Sequence, residues 1–279
     1  MAITPSYEGP YPGAGGLRLF RRAWRPPGAP KAVLVMLHGL GDHAGLHLTP
    51  IEYFVTCGLV VHAPDLRGNG RSAGPRGHVT RWVEFREDLR GLLEIARAED
   101  PGRVVFLLGH SMGGLIALDH ALQHPEGLRG VIASAPPLGP LGVPPLLLAL
   151  GRVASRVWPR FSLDTGMDLS GLARDPTVVE EILKDPHFHR RGSARLSTEL
   201  QRTVDHLQAS APRFRVPLLV LHGTADRLVS PEGSRRFVPR VGCPDRELRE
   251  YPGGFHALFA DGEGDAVLRD VATWIDHRL

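Results

Sequence analysis

The stretch Gly109-His110-Ser111-Met112-Gly113-Gly114 constrains the fold of this chain more than any other. An unbroken apolar run, Val104-Val105-Phe106-Leu107-Leu108, leads into it, and a helical pattern follows to residue 124. A serine with glycine two residues before and two after it fits a sharp strand-to-helix turn, because side chains at the flanking positions would close off the bend. An apolar strand without alternation is one covered by helices on both faces. Together they predict an α/β domain in which Ser111, the candidate nucleophile, is presented at the carboxyl end of a central strand.

The remainder of the chain keeps to that plan. Residues 17–24, 32–38, 60–63, 128–135, 216–222 and 246–251 read as further strands, and residues 51–57 as a short helix. A helix over 80–96 puts Trp82, Phe85, Leu89, Leu92, Leu93 and Ala96 on one face, and residues 265–278 form a closing helix. Such alternation predicts a mostly parallel central sheet flanked by helices, with right-handed crossovers. Residues 136–215 break the rhythm, since an ordinary crossover needs only about a dozen residues. We therefore expect a core domain over 1–135 and 216–279 and an inserted cap over 136–215. Within the cap, Leu146, Leu147, Leu148, Leu150, Val153 and Val157 form an apolar stretch. Two readings of it stay open: a wall for an acyl chain, or packing on the parent sheet.

Composition narrows the function classes. The net charge is +3, and no block of like charges suggests nucleic-acid binding. Cys57 and Cys243 have no metal or redox spacing and are expected to pack as small apolar groups. Neither cofactor nor metal is expected. The N-terminal residues lack a basic segment followed by an apolar one, and no apolar run approaches the ~20 residues that span a bilayer. A soluble, cytoplasmic protein is the expectation.

A serine hydroxyl needs a general base, and the base needs an orienting group. On a sheet of this kind the acid follows a late strand and the histidine follows the next. Asp226 lies just beyond strand 216–222, and His256 just beyond strand 246–251. Of the 14 histidines, only His256 and His277 follow the last strand, and His277 lies deep in the terminal helix. Asp245 precedes the last strand, at the wrong end of a parallel sheet for a site, and Asp261 follows the histidine. The candidate catalytic set is Ser111, Asp226 and His256. The backbone N–H groups of Leu40, in His38-Gly39-Leu40-Gly41, and of Met112 are the candidate oxyanion donors.

Four segments carry a family resemblance: His38 to His43, Asp65 to Ser72, Gly109 to Gly114 and His222 to Asp226. With them the chain resembles the monoglyceride lipase and lysophospholipase branch of the α/β-hydrolases over nearly its whole length. The Pro-rich opening of the insertion and its Ser162-Leu163-Asp164 segment fit as well. The resemblance implies the triad and oxyanion assignments, no cofactor or metal, and a monoacylglycerol or lysophospholipid-type acyl ester as substrate. Short- or medium-chain carboxylesterase, thioesterase and aminopeptidase activity remain open on the same chemistry, as does a ligand-binding protein without catalysis. Transient contact of the cap with a membrane surface is a further expectation. Two departures stand out. Asn69 replaces a usual histidine, and Leu46-His47 replaces a common Arg-aromatic pair. Both are expected near the site entrance, where head-group preference is set.

Overall fold

The computed structural model describes residues 3–139 and 145–279, the side chains of residues 145–150 excepted. Its main sheet has eight strands: β1 (Tyr7–Pro12), β2 (Arg18–Trp24), β3 (Ala32–Leu37), β4 (Leu59–Asp65), β5 (Val105–His110), β6 (Leu128–Ser134), β9 (Leu218–Gly223) and β10 (Arg246–Tyr251). They lie in the order β1-β2-β4-β3-β5-β6-β9-β10. The pairs β1/β2 and β2/β4 are antiparallel, and the others are parallel.

Strand β3 shows how the apolar runs build this sheet. All six of its residues are buried. Val33, Val35 and Leu37 enter one apolar cluster, while Leu34 and Met36 enter another on the opposite face, as the pleat of a strand requires. The first cluster is closed by α2 (Val83–Glu99), α3 (Met112–Gln123) and α6 (Ala194–Ser210), the second by α1 (Leu48–Thr56) and α8 (Gly264–Asp276). On α2 the buried face is Phe85, Leu89, Leu92, Leu93 and Ala96, as the spacing predicts. Fully burying each such large side chain is worth about 1.5–3 kcal/mol.

Some boundaries differ from the sequence reading. β1 contains Pro10 and Pro12, which argue against a strand in general; the sheet tolerates them here because β1 is its edge. Helix α2 starts at Val83 rather than Thr80, and the N–H of Trp82 donates to Glu199 Oε2 of α6 at 2.9 Å. That carboxylate, distant in sequence, serves the helix start in place of a local cap.

From β3 the chain first adds β4 on one side and then β5 on the other, so the direction of winding switches between β3 and β5. Open α/β sheets hold ligands beyond such a point, at the carboxyl ends of the strands. The loops after β3, β5, β9 and β10 carry Leu40, Ser111, Asp226 and His256.

Between β6 and β9 the described structure comprises α4 (Pro145–Val157), an antiparallel pair β7 (Ser162–Asp164) and β8 (Arg191–Ser193), α5 (Pro176–Lys184) and α6. Asp175 caps α5 by accepting from the Thr177 N–H, with Pro176 in the first turn. Helix α6 packs on α3 and places Leu196, Leu200, Val204 and Leu207 in the first apolar cluster of the sheet. No helix among the described residues is long and apolar enough to cross a membrane.

Candidate active site

Ser111 stands at the β5–α3 turn with φ 51° and ψ −121°. Such a backbone costs a non-glycine residue on the order of 1–3 kcal/mol and persists only where its surroundings enforce it. Here the Ser111 N–H donates to the Ser134 carbonyl of β6 at 2.8 Å. A Cβ at position 109 would lie 2.2 Å from the Gly113 carbonyl oxygen, and one at 113 would lie 2.5 Å from those of Leu37 and His38. Both glycines are therefore required by close backbone approach.

Adjacent strands β9 and β10 bring the acid and the histidine together. Their loops are stitched by the Thr224 N–H to the Tyr251 carbonyl and the Ala225 N–H to the Gly254 carbonyl, each at 3.0 Å. His256 Nδ1 lies 2.7 Å from Asp226 Oδ2, and both residues are buried. Asp226 Oδ1 accepts from the N–H groups of Leu228 and Val229, each at 2.9 Å. Burial pushes the Asp226 carboxyl up, but hydrogen bonds from His222 and His256 outweigh it and hold the group well below the usual carboxylate range. An ionised Asp226 can only accept, so His256 Nδ1 carries the proton. In the neutral ring Nε2 is then free to take a proton from a hydroxyl. Ser111 and His256 line the same cavity.

The loop after β3 is fixed by a residue the sequence reading left without a role. His38 Nε2 accepts from the Leu66 N–H at 2.8 Å, so Nδ1 bears the hydrogen and donates to the Gly39 carbonyl at 2.7 Å. Burial lowers the His38 pKa and favours this neutral form. A planar trans peptide held by its C=O directs its N–H, that of Leu40, the opposite way. Among the described residues, no intramolecular backbone acceptor takes the N–H of Leu40 or of Met112. A Cβ at position 39 would lie 3.3 Å from Ser111 Cβ, so this loop abuts the serine turn. The only sequence signal for His38 was the His-Gly pair itself.

Asp261, set aside as a catalytic acid, organises the histidine loop. Its Oδ2 accepts from the Phe255 N–H at 3.0 Å, and its Oδ1 accepts from the Arg174 N–H at 3.1 Å. The Ala257 N–H donates to the Leu172 carbonyl, between β6 and β9, at 2.7 Å.

The cavity has a volume of about 540 Å³. Asp42, His47, His110, Ser111 and His256 line a polar part of it. Met167, Leu169, Leu172, Val178, Ile182 and Phe188, between β6 and β9, with Leu228, Val229, Phe259 and Leu268 beyond β9, form apolar wall. The stretch left open between wall and packing is described only at its end. Val153 and Val157 are 59% and 81% exposed and do not line the cavity. Leu146, Leu147, Leu148 and Leu150 fall outside the described side chains.

The two departures separate. His47 does line the cavity, with Nε2 2.6 Å from Asp42 Oδ2. Asn69 is buried behind the loop rather than near an entrance, and its Oδ1 accepts from the Gly41 N–H at 3.0 Å. Burial pulls the His47 pKa down, but the Asp42 carboxylate outweighs it and raises the pKa; Asp42 is held well below its ordinary value. A raised histidine pKa adds stability that is present below the unfolded value of about 6.5 and is lost as pH rises through the folded value. A depressed aspartate pKa adds stability above about pH 4. The pair therefore stabilises most between about pH 4 and 6.5. The Tm deficit of Asp42→Asn should be largest at pH 5 and shrink by pH 9; a deficit independent of pH would show that no charge pairing is involved.

Residues 28–263 match the family described as serine aminopeptidase, S33. The chain is 36% identical to the monoacylglycerol lipase of Mycolicibacterium smegmatis over the full length of both. It is 31% identical to the monoglyceride lipase of Homo sapiens, over 95% of this chain and 89% of that one. The crystal structure of Paleococcus ferrophilus monoacylglycerol lipase superposes with a TM-score of 0.86 at 33% identity, covering 94% of this chain and 99% of that one. The chain belongs to the serine aminopeptidase S33 family and is a serine hydrolase of the α/β-hydrolase fold.

Proposed function

We propose that this protein hydrolyses long-chain monoacylglycerol-type esters through an acyl-enzyme on Ser111. The cavity carries the reading: it joins Ser111 and His256 to an extended apolar wall within one volume. The lipase relatives support it. Ser111 Oγ attacks the ester carbonyl while His256 Nε2 takes its proton. Asp226 keeps the imidazole in that tautomer and stabilises its cation. The N–H groups of Leu40 and Met112 hold the oxyanion. His256 then protonates the leaving alcohol, and water activated by the same imidazole releases the fatty acid. Within the expected cap, residues 167–188 wall this cavity, while α6 packs on the sheet.

Alternative substrates fit less well. An aminopeptidase would hold its substrate's ammonium group on a carboxylate. Of the four that line the cavity, Asp42 is paired with His47 and Asp261 with Arg174, which leaves Glu181 and Asp265, so the long apolar wall is what favours an acyl ester. If the wall binds the acyl chain, each buried methylene adds up to about 0.8 kcal/mol, or about fourfold in kcat/KM, until the wall is filled. Glycerol monoesters from acetyl to oleoyl should show that climb and plateau. Ile182→Asp, on the wall, should penalise oleoyl far more than acetyl esters. A flat profile in the wild type, or equal losses in the variant, overturns the reading.

A second observation concerns where substrate is met. Val153, Val157, Trp158, Phe161 and Leu163 are exposed beside exposed Arg152, Arg156 and Arg160. We infer that this apolar patch, edged by cations, touches anionic lipid surfaces. Val157→Ser with Trp158→Ser should reduce co-sedimentation with anionic vesicles and spare turnover of a water-soluble butyrate ester; unchanged sedimentation removes the inference.

A further inference from the structure

Three successive peptides of the loop after β3 are each held by a different partner. His38 holds the Gly39 carbonyl from within the loop. Asn69, on the loop after β4, takes the Gly41 N–H on its Oδ1 at 3.0 Å and donates from Nδ2 to the Arg67 carbonyl at 2.9 Å. With both ends of the amide engaged in a buried setting, its orientation is fixed. The Gly41 carbonyl in turn accepts from the His189 N–H of the insertion at 2.9 Å. Position 41 has φ 77°, and a Cβ there would lie 1.8 Å from the His189 carbonyl oxygen, so only glycine permits the contact.

The Leu40 N–H belongs to the first of these peptides, whose carbonyl His38 holds, and the peptide held by Asn69 is the next one along. Peptide units are rigid planes joined by two soft dihedrals per residue. One hydrogen bond to the Gly39 carbonyl leaves that plane free to tilt about the contact; holding the next plane, across Leu40, restricts the tilt and so the direction of the Leu40 N–H. We propose that Asn69 is a positioning residue for the oxyanion: by holding the Gly41 N–H it aims the Leu40 N–H, against a loop clasped from the other side by His189 of the insertion. The proposal rests on Leu40 as an oxyanion donor. It also accounts for a buried amide at a position that touches no part of the cavity.

The test uses the full chain, with kcat and KM normalised to active sites titrated to completion with a fluorophosphonate. Asn69→Leu keeps the approximate size and removes both hydrogen bonds. Its kcat should fall about 10- to 100-fold, short of the roughly 10²–10³-fold cost of losing a donor outright, with KM changed less than about twofold. Affinity for an alkyl trifluoromethyl ketone, which forms a tetrahedral oxyanion on the serine, should fall in proportion to kcat/KM. Asn69→Asp keeps an acceptor for the Gly41 N–H but loses the donor to the Arg67 carbonyl, and should recover part of both losses. If Asn69→Leu does not accumulate as folded protein, Asn69→Ala carries the same comparison. A variant with lower Tm but unchanged kcat per titrated site and unchanged ketone affinity overturns the proposal, as does failure of Asn69→Asp to recover activity while folded. Absence of labelling at Ser111 in the wild type would instead remove the underlying active-site reading, a result distinct from an Asn69 variant that labels and turns over normally.

Discussion

Ser111→Ala, His256→Ala and Asp226→Asn are each expected to lower kcat by about 10⁴–10⁶-fold, with folded protein retained. The aspartate change is the most informative. Asp226 Oδ1 is occupied by the N–H groups of Leu228 and Val229. An asparagine must keep its carbonyl there, so its NH₂ faces His256 Nδ1. That forces Nδ1 to accept and moves the ring proton to Nε2, the nitrogen that must receive the serine proton. The base is then blocked without being displaced, and the loss should approach that of removing it. Because the three residues act as a unit, Ser111→Ala/His256→Ala should be little worse than either single variant. Kinetics on a glycerol monoester, with melting curves for each variant, check this. Near-normal turnover in His256→Ala would assign the base elsewhere.

Gly113→Ala is expected to cost more than 100-fold in turnover and about 1–3 kcal/mol in stability. The added methyl would meet the Leu37 and His38 carbonyl oxygens at 2.5 Å. Both belong to backbone at the end of β3, with no flexible side-chain end to swing away. Relief requires the serine turn and the loop after β3 to move apart, which also separates the Met112 and Leu40 N–H groups. Gly151→Ala provides the control. That glycine lies in α4 with nothing within 4 Å of an added Cβ, and the change should stabilise the helix by roughly 0.5–1 kcal/mol. Equal behaviour of the two variants would show that the turn is not sterically closed.

Much of this architecture was legible because one physical signal ran through it. Continuous apolar strands such as 33–37 and 105–108 can be buried only between two helical layers. Once they are ordered along the chain, the loops at their carboxyl ends follow, and with them the places of Ser111, Asp226 and His256. Signals that depend on distant pairing were not legible. Glu199 serves a helix start more than a hundred residues away, and Pro10 is tolerated only because its strand ends the sheet. The partners of the loop after β3 escaped for the same reason: Asn69 and His189 reach Gly41 from separate segments. Apolarity along the chain did not locate the wall between β6 and β9 either. Residues 153 and 157 looked suited to a wall and are exposed, whereas the wall comes from scattered positions 167–188 interleaved with charges.

Covalent labelling tests the central claim most directly. Wild-type protein treated with an alkyl fluorophosphonate should gain one adduct by intact mass, mapped by peptide sequencing to Ser111, with activity lost in step. The His256→Ala variant should label far more slowly, because the same imidazole that activates the serine toward an ester activates it toward phosphorus. Protein that stays unlabelled while hydrolysing esters, or an adduct on any residue other than Ser111, would contradict the account.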